Sequence, residues 1–168
     1  MAKKLMIASD HAGFFLKEKV KNYLRKKKID YEDLGAFKLD KNDDYPDYAL
    51  KLAKKVKKDK NKGLLLCGSA TGMAIAANKV KGIRAAVGIN EDEVFLGRSH
   101  NDINVLCLNG INYDGISKKL KGKRLLDVKT KPVRFDEVAK MIDVFLNTKF
   151  EGGRHTRRLR KIAKIESS

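Results

Sequence analysis

Short unbroken apolar runs alternate with stretches of helical spacing along most of the chain. Leu5-Met6-Ile7-Ala8 has the length and continuity of a buried strand, and Gly13 to Lys28 then sets Leu16, Val20, Tyr23, Leu24 and Lys27 at helical spacing. Tyr31–Leu34 predicts a second strand, followed by a polar loop over Gly35–Tyr45. Pro46 fits the first helical position, where its missing N–H is no loss, and opens a helix bearing Ala49, Leu50, Leu52, Ala53 and Val56. Leu64–Leu66 predicts the third strand, Gly68–Gly72 turns into a helix through Ala77, and Ile83–Val87 predicts the fourth strand. Glu91–Arg98 reads as a short helix and Asn104–Leu108 as the fifth strand.

Strands that are continuous apolar runs, not alternating ones, are buried on both faces. Interleaved with helices, they predict an α/β fold, a Rossmann-like three-layer sandwich around a five-stranded parallel sheet in the order 2-1-3-4-5. From Asn109 to Val133 the pattern lapses into Gly, Lys, Asp and Tyr, with weak strand signal at Leu125-Leu126 and Val128, which predicts an inserted loop or hairpin at about 112–134. Phe135–Leu146 resumes helical spacing with Val138, Met141, Ile142 and Phe145. Asn147–Gly153 breaks it, and Thr156–Ile165 predicts a basic C-terminal helix. The expected organisation is one α/β domain over residues 1–150 and a basic tail over 151–168.

Charge adds a second layer. The 168 residues hold 38 Lys+Arg against 21 Asp+Glu, a net +17, which raises nucleic acid as a partner. Much of this lysine falls on predicted helix faces, at Lys17, Lys19, Lys21, Lys26 to Lys28 and Lys54 to Lys60, where it reads as a solvated face. The tail GGRHTRRLRKIAK is different: it is arginine-rich and suited to phosphate. Aromatic residues make up only 7% and no nucleic-acid reader motif is present, which argues against that partner. Met1-Ala2-Lys3-Lys4 does not open a signal peptide, and no run approaches the roughly 20 apolar residues of a membrane span. Cys67 and Cys107 lack metal-type spacing, so a reduced cytoplasmic protein without a disulfide, and no membrane partner, is expected.

Candidate chemistry collects at the predicted strand ends, where open parallel sheets bind ligands. Strand one ends in Ser9-Asp10-His11, strand three in Cys67-Gly68-Ser69-Ala70-Thr71-Gly72, and the helix after strand four in Arg98-Ser99-His100-Asn101-Asp102. With strands one and three adjacent, Asp10, His11 and Cys67 share one cleft. Each residue also has an ordinary reading: a buried small thiol, a helix cap, a surface histidine, turn glycines. Together on one edge they describe a site, because a loop of small residues opening a helix presents N–H groups to an anion or oxyanion.

Five ordered segments, SDHAGFFLKEKV, DYPDYA, CGSATGMAIAANKVKGIRAA, SHNDINVL and FEGGRHTRR, resemble the ribose-5-phosphate isomerase B family, which also contains galactose-6-phosphate isomerase subunits. The resemblance spans nearly all of the chain except Asn112 to about Arg134. It implies interconversion of ribose 5-phosphate and ribulose 5-phosphate through an enediolate, in the pentose phosphate pathway, with no metal or organic cofactor, by a homodimer or dimer of dimers. Hexose 6-phosphates, allose or galactose, are the alternative substrates.

The resemblance also implies roles. Cys67 matches the base, and its pairing with Met73 places the chain in the family's cysteine branch. A thiolate beside a helix amino end is expected to have a lowered pKa. His100 matches the ring-opening acid, and the N–H groups from Gly68, Ser69, Ala70, Thr71 and Gly72 to Met73 match the anion hole. Asp10 and His11 match substrate and phosphate contacts, Tyr45 lines the sugar, and Asn101 meets the reacting end. Arg154 and Arg158 match tail arginines that hold phosphate in a site shared between subunits. Two positions depart from the family: Ala70 stands where glycine is usual, and Ile111 replaces a phosphate arginine, leaving Lys121, Lys123 or Arg124 as substitutes.

Overall fold

A computed structural model describes residues 4–112 and 131–167. The elements alternate as the hydrophobic pattern predicts: β1 (Leu5–Ser9), α1 (Phe14–Lys26), β2 (Tyr31–Asp33), α2 (Tyr45–Asp59), β3 (Gly63–Cys67), α3 (Thr71–Ala77), β4 (Ala85–Val87), α4 (Glu91–Asn101) and β5 (Val105–Asn109). A short antiparallel pair, β6 (Ile111–Asn112) with β7 (Lys131–Pro132), precedes α5 (Phe135–Asn147) and α6 (Arg154–Ile165). Lys121, Lys123, Arg124 and the weak strand signals at Leu125 and Val128 lie outside the described residues.

Side chains on successive strand residues point to opposite faces, so one apolar run serves two cores. Met6, Ala8, Leu65, Cys67, Val105 and Cys107 face Leu52, Ala53, Val56, Met73 and Ala77 of α2 and α3. Ile7, Leu64, Leu66, Leu106 and Leu108 face Leu16, Val20 and Leu24 of α1, Val94 of α4, and Val138, Ile142 and Phe145 of α5. The three-layer α/β sandwich follows, with all five strands of the main sheet parallel.

The strand order is β2-β1-β3-β5-β4, so the last two strands exchange places relative to the expected 2-1-3-4-5. In β5, Val105, Leu106, Cys107 and Leu108 are all buried, whereas the three residues of β4 are each partly exposed. The longer apolar strand gains more from an interior position, and a three-residue edge leaves few unpaired backbone groups to solvent. Adjacency of β1 and β3, on which the cleft depends, is unaffected, with Ser9 opposite Leu66.

One lysine departs from the solvated-face reading. Lys17 is completely buried, its Nζ 2.7 Å from Asp33 Oδ2 and 3.0 Å from Glu18 Oε1. It stands on the same stripe of α1 as Val20 and Leu24, and a buried ammonium persists only when paired. Burial alone would raise the Asp33 carboxyl, but bonds from Lys17, the Gly35 amide and Lys21 outweigh it and hold Asp33 below the usual carboxylate range.

The helix of the tail begins two residues earlier than expected, at Arg154, after Gly152 and Gly153 with φ of +72° and +53°. These left-handed positions suit glycine and turn the chain sharply after α5. α6 then lies against α4 of its own chain, and its end is tied down by the Gly82 N–H, which donates to Glu166 Oε2 at 3.0 Å. Among the described residues, no helix is long and apolar enough to cross a membrane.

Candidate active site

The cleft at the carboxyl edge is built around a close approach of α1 to β3. A Cβ on Gly13 would lie 2.1 Å from the Leu66 carbonyl oxygen and 2.6 Å from the Cys67 nitrogen, so only glycine lets α1 start there. The Gly13 N–H donates to Asp10 Oδ1 at 2.9 Å, and the Cys67 thiol donates to Asp10 Oδ2 at 2.9 Å. Asp10 is buried and spends both oxygens on these contacts. The helix start, the carboxylate and the thiol thus form one rigid unit.

The thiol is not lowered in pKa by its place beside a helix amino end. Burial, then the hydrogen bond and charge of Asp10, push the Cys67 thiol up from 9.0 to about 12, against the lowering effect of the Ala70 and Gly68 amides. α3 is only seven residues long, and a full carboxylate charge in contact with the sulfur outweighs the partial charge of so short a helix. Cys67 therefore carries its proton in this state and shares it with Asp10. Cys107, the other cysteine, is entirely enclosed on β5.

The 68–72 loop leaves β3 beside this pair. Ala70 is buried at φ +65°, so the loop follows a left-handed path without the usual glycine, at a strain of roughly 1–2 kcal/mol. Ser69 and Thr71 face outward. A Cβ on Gly72 would lie 2.8 Å from Cζ of Tyr45, which shows that the Tyr45 ring rests on the loop and forms one wall of the cleft. His11 flanks the other side, its Nδ1 2.5 Å from Asp43 Oδ1, which also accepts the His11 backbone N–H at 3.1 Å. Tyr48 stands next to them, its hydroxyl pushed up by burial and by the Asp43 charge. Asp43 sits in what the sequence offers only as a polar loop, 32 residues from His11, and no spacing signal connects the two.

His100 and Asn101 are not in this cleft. α4 leaves the carboxyl end of β4 and runs back for 11 residues, about 16 Å at 1.5 Å per residue, to the amino-terminal edge of the sheet. There the Asn101 carbonyl accepts from Arg84 Nε at 3.0 Å, just before β4 begins, and the Asn104 carbonyl accepts the N–H of Gly63, the first residue of β3. Cys67 is the last residue of that strand. The strand-end rule does not extend to His100, because His100 ends a helix that has already crossed the sheet.

A second cluster forms around His100. Its ring stacks on His155 with centroids 4.2 Å apart and planes 8° from parallel. The Glu151 N–H donates to the Ser99 carbonyl at 2.9 Å, and Glu151 Oε2 lies 3.7 Å from Nε2 of both histidines. Arg154 and Arg158, exposed on the first turns of α6, extend this cluster. The residues singled out from sequence therefore divide into two groups within one chain: Asp10, His11, Tyr45, Cys67 and the 68–72 loop at one edge, His100, Asn101, Arg154 and Arg158 near the other.

Comparison with known proteins bears on both groups at once, because it covers both. A family model described as Ribose/Galactose Isomerase matches residues 5–162. The probable ribose-5-phosphate isomerase B of Mycoplasma genitalium is 41% identical across 99% of this chain and 97% of its own length. The ribose-5-phosphate isomerase B of Escherichia coli is 36% identical across 98% of this chain and 97% of its own. Among solved structures, the M. genitalium enzyme with bound ribulose-5-phosphate superposes with a TM-score of 0.83 at 40% identity, covering 100% of this chain and 99% of that one. The Thermotoga maritima enzyme gives 0.80 at 43% identity, with 98% and 99% covered. With the α/β sandwich, the thiol–carboxylate pair and the arginine tail all inside the matched span, the chain belongs to the ribose/galactose isomerase family.

Proposed function

We propose that this chain is a cofactor-independent isomerase of ribose 5-phosphate and ribulose 5-phosphate, acting in the cytoplasm on the pentose phosphate pathway. The observation that carries the reading is the Cys67 thiol held 2.9 Å from Asp10 beside a loop of backbone N–H groups. A thiol in contact with a carboxylate becomes a base by passing its proton from Sγ to Oδ2 of Asp10. The thiolate then removes the proton on carbon 2 of the open-chain aldose, and the amides from Gly68 to Met73 hold the resulting enediolate. Delivery of a proton to carbon 1 gives the ketose.

His100 supplies the proton that opens the furanose ring at its ring oxygen, with Asn101 at the reacting end. His11, oriented by Asp43, and Tyr45 line the substrate. Arg154 and Arg158, one helical turn apart, grip the phosphate, for which a planar guanidinium fork is well suited. Because His100 and Cys67 stand near opposite edges of one sheet, the acid that serves a given Cys67 comes from a second copy. The tail over 151–168 travels with it, so a homodimer, alone or paired into a dimer of dimers, forms each site from two chains.

The experiment offers ribose 5-phosphate and allose 6-phosphate separately to the purified protein and follows ketose formation. Preferred turnover of the pentose phosphate supports the reading. Turnover of the hexose phosphate alone would overturn the substrate assignment, and turnover of neither would overturn the reaction.

A further inference from the structure

Among the described residues, three donor side chains converge away from Cys67: His100, Glu151 and His155, whose ligand atoms all lie within 4.8 Å of one another. We propose that this group is a binding site for a divalent transition-metal ion of the Zn²⁺ class, and that occupation of it inhibits the enzyme.

The geometry is close to that of a metal centre. Tetrahedral Zn²⁺ bonds of about 2.0–2.2 Å put ligand atoms roughly 3.4 Å apart. Glu151 Oε2 is already 3.7 Å from Nε2 of each histidine, so a contraction of a few tenths of an ångström suffices for these two carboxylate–imidazole pairs, and the two imidazoles close the rest by moving toward each other. The nearly parallel rings must also tilt toward a common point. His155 is buried and fixed, but the His100 side chain is about one-third exposed and Glu151 about half exposed, so two of the three ligands are free to make that adjustment.

Both histidines offer the same nitrogen to the shared carboxylate. Arg154 Nε donates to His155 Nε2 at 3.5 Å, which marks that nitrogen as the acceptor whose lone pair a metal would take over. Two imidazoles and one carboxylate suit zinc-like ions better than Mg²⁺ or Ca²⁺, and three protein ligands leave a fourth position for water. The nearby Arg154 and Arg158 oppose any cation and so weaken its affinity.

Binding draws His100 away from the sugar ring and displaces Arg154 from its contact with His155. The inhibitory half of the proposal rests on the role proposed for His100, whereas the binding half does not. Cobalt(II) serves as the probe, because its visible absorption bands report the ligand set. The full-length protein is expected to develop these bands at micromolar Co²⁺ without the sulfur-to-metal charge-transfer band that Cys67 or Cys107 ligation would produce. Glu151→Gln, at an exposed position that leaves folding intact, should weaken the titration at least tenfold, the smallest loss caused by disturbing even outer-shell partners of a metal ligand. His155→Asn should weaken it as much, and Cys67→Ala should leave it unchanged.

No bands at millimolar Co²⁺, or an undiminished titration in Glu151→Gln, would overturn the binding site. Zn²⁺ should inhibit isomerisation reversibly by chelator and should lose its effect in Glu151→Gln. Binding with no inhibition would overturn the inhibitory half together with the His100 role and leave the site standing.

Discussion

The two edges of the sheet hold their chemistry by different means. At the carboxyl edge, Cys67 and Asp10 are buried, joined to each other and to the first turn of α1 by contacts that allow no Cβ at Gly13. Near the amino-terminal edge, His100 and Arg154 sit on helix ends, with His100 partly exposed and stacked on His155 of the tail. In the mechanism proposed above, a base whose proton is held next to a carboxylate needs a rigid enclosure, whereas an acid and phosphate grip that approach a ligand in another copy need to project. On that proposal the division of labour matches the division of packing.

Four substitutions sharpen this contrast, taken from the largest expected effect to the smallest. Cys67→Ala should remove detectable isomerisation while circular dichroism and the thermal midpoint stay near wild type, since a base is lost with little volume. A general base contributes about 10²–10⁴-fold, so residual activity above one per cent would name another base. Cys107→Ala, with the other thiol, serves as the control and should turn over normally.

His100→Asn should lower turnover of the cyclic sugar by about 10²–10⁴-fold. Exchange of the carbon-bound proton of open-chain ribulose 5-phosphate with solvent should fall much less, because ring opening precedes that step. An equal fall in both would make His100 part of the proton transfer at carbon, and the contrast between the two edges would fail.

Asp10→Asn tests the enclosure of the thiol. The folded-state thiol lies at about 12 instead of 9.0, so the proton is held more tightly folded than unfolded. That contribution to stability is fully present below the ordinary thiol value and is lost as the pH rises from 9.0 toward about 12. Removing the carboxylate charge leaves burial as the only raising effect, so thiolate absorbance should appear at lower pH than in wild type. The rise of kcat/KM with pH should move in the same direction, even as its maximum falls for want of a proton acceptor. A thiolate titration that stayed in place would mean that burial alone sets the Cys67 value.

Gly72→Ala is the mildest. Its Cβ would lie 2.8 Å from the Tyr45 ring, which is 41% exposed and can swing outward. KM should rise severalfold with kcat and the thermal midpoint nearly unchanged. A large loss of stability would show that the ring is part of the core and not a movable wall.

The hydrophobic pattern exposed much of this architecture, but unevenly. Continuous runs such as Leu64–Leu66 and Val105–Leu108 could only be buried strands, and their ends marked Asp10, His11 and Cys67 as neighbours because ligand chemistry in open sheets gathers there. The exchange of β4 and β5 was not legible, since both segments read as apolar runs and relative length decides which takes the edge. The strand-end rule puts His100 at the same edge, but the 11 residues of α4 carry it across the sheet. The buried state of Lys17 could have been found, as it lies on the stripe with Val20 and Leu24, yet its partner Asp33 is 16 residues away and invisible to periodicity. The pairing of Asp43 with His11 has the same long-range character, and so does the contact that adds to burial in raising the thiol, since Asp10 lies 57 residues upstream of Cys67.

The central claim, that each site joins the base of one chain to the acid of another, is tested most directly by mixing. Cys67→Ala and His100→Asn chains are purified separately, each inactive, then exchanged under conditions where subunit exchange is verified with a mass or fluorescent label. In a mixed dimer one site would contain both substitutions and the other neither. Random pairing of equal amounts should then restore about one quarter of wild-type activity, since half the dimers are mixed and half of their sites are intact. No recovery despite demonstrated exchange would place base and acid on the same chain and contradict the account.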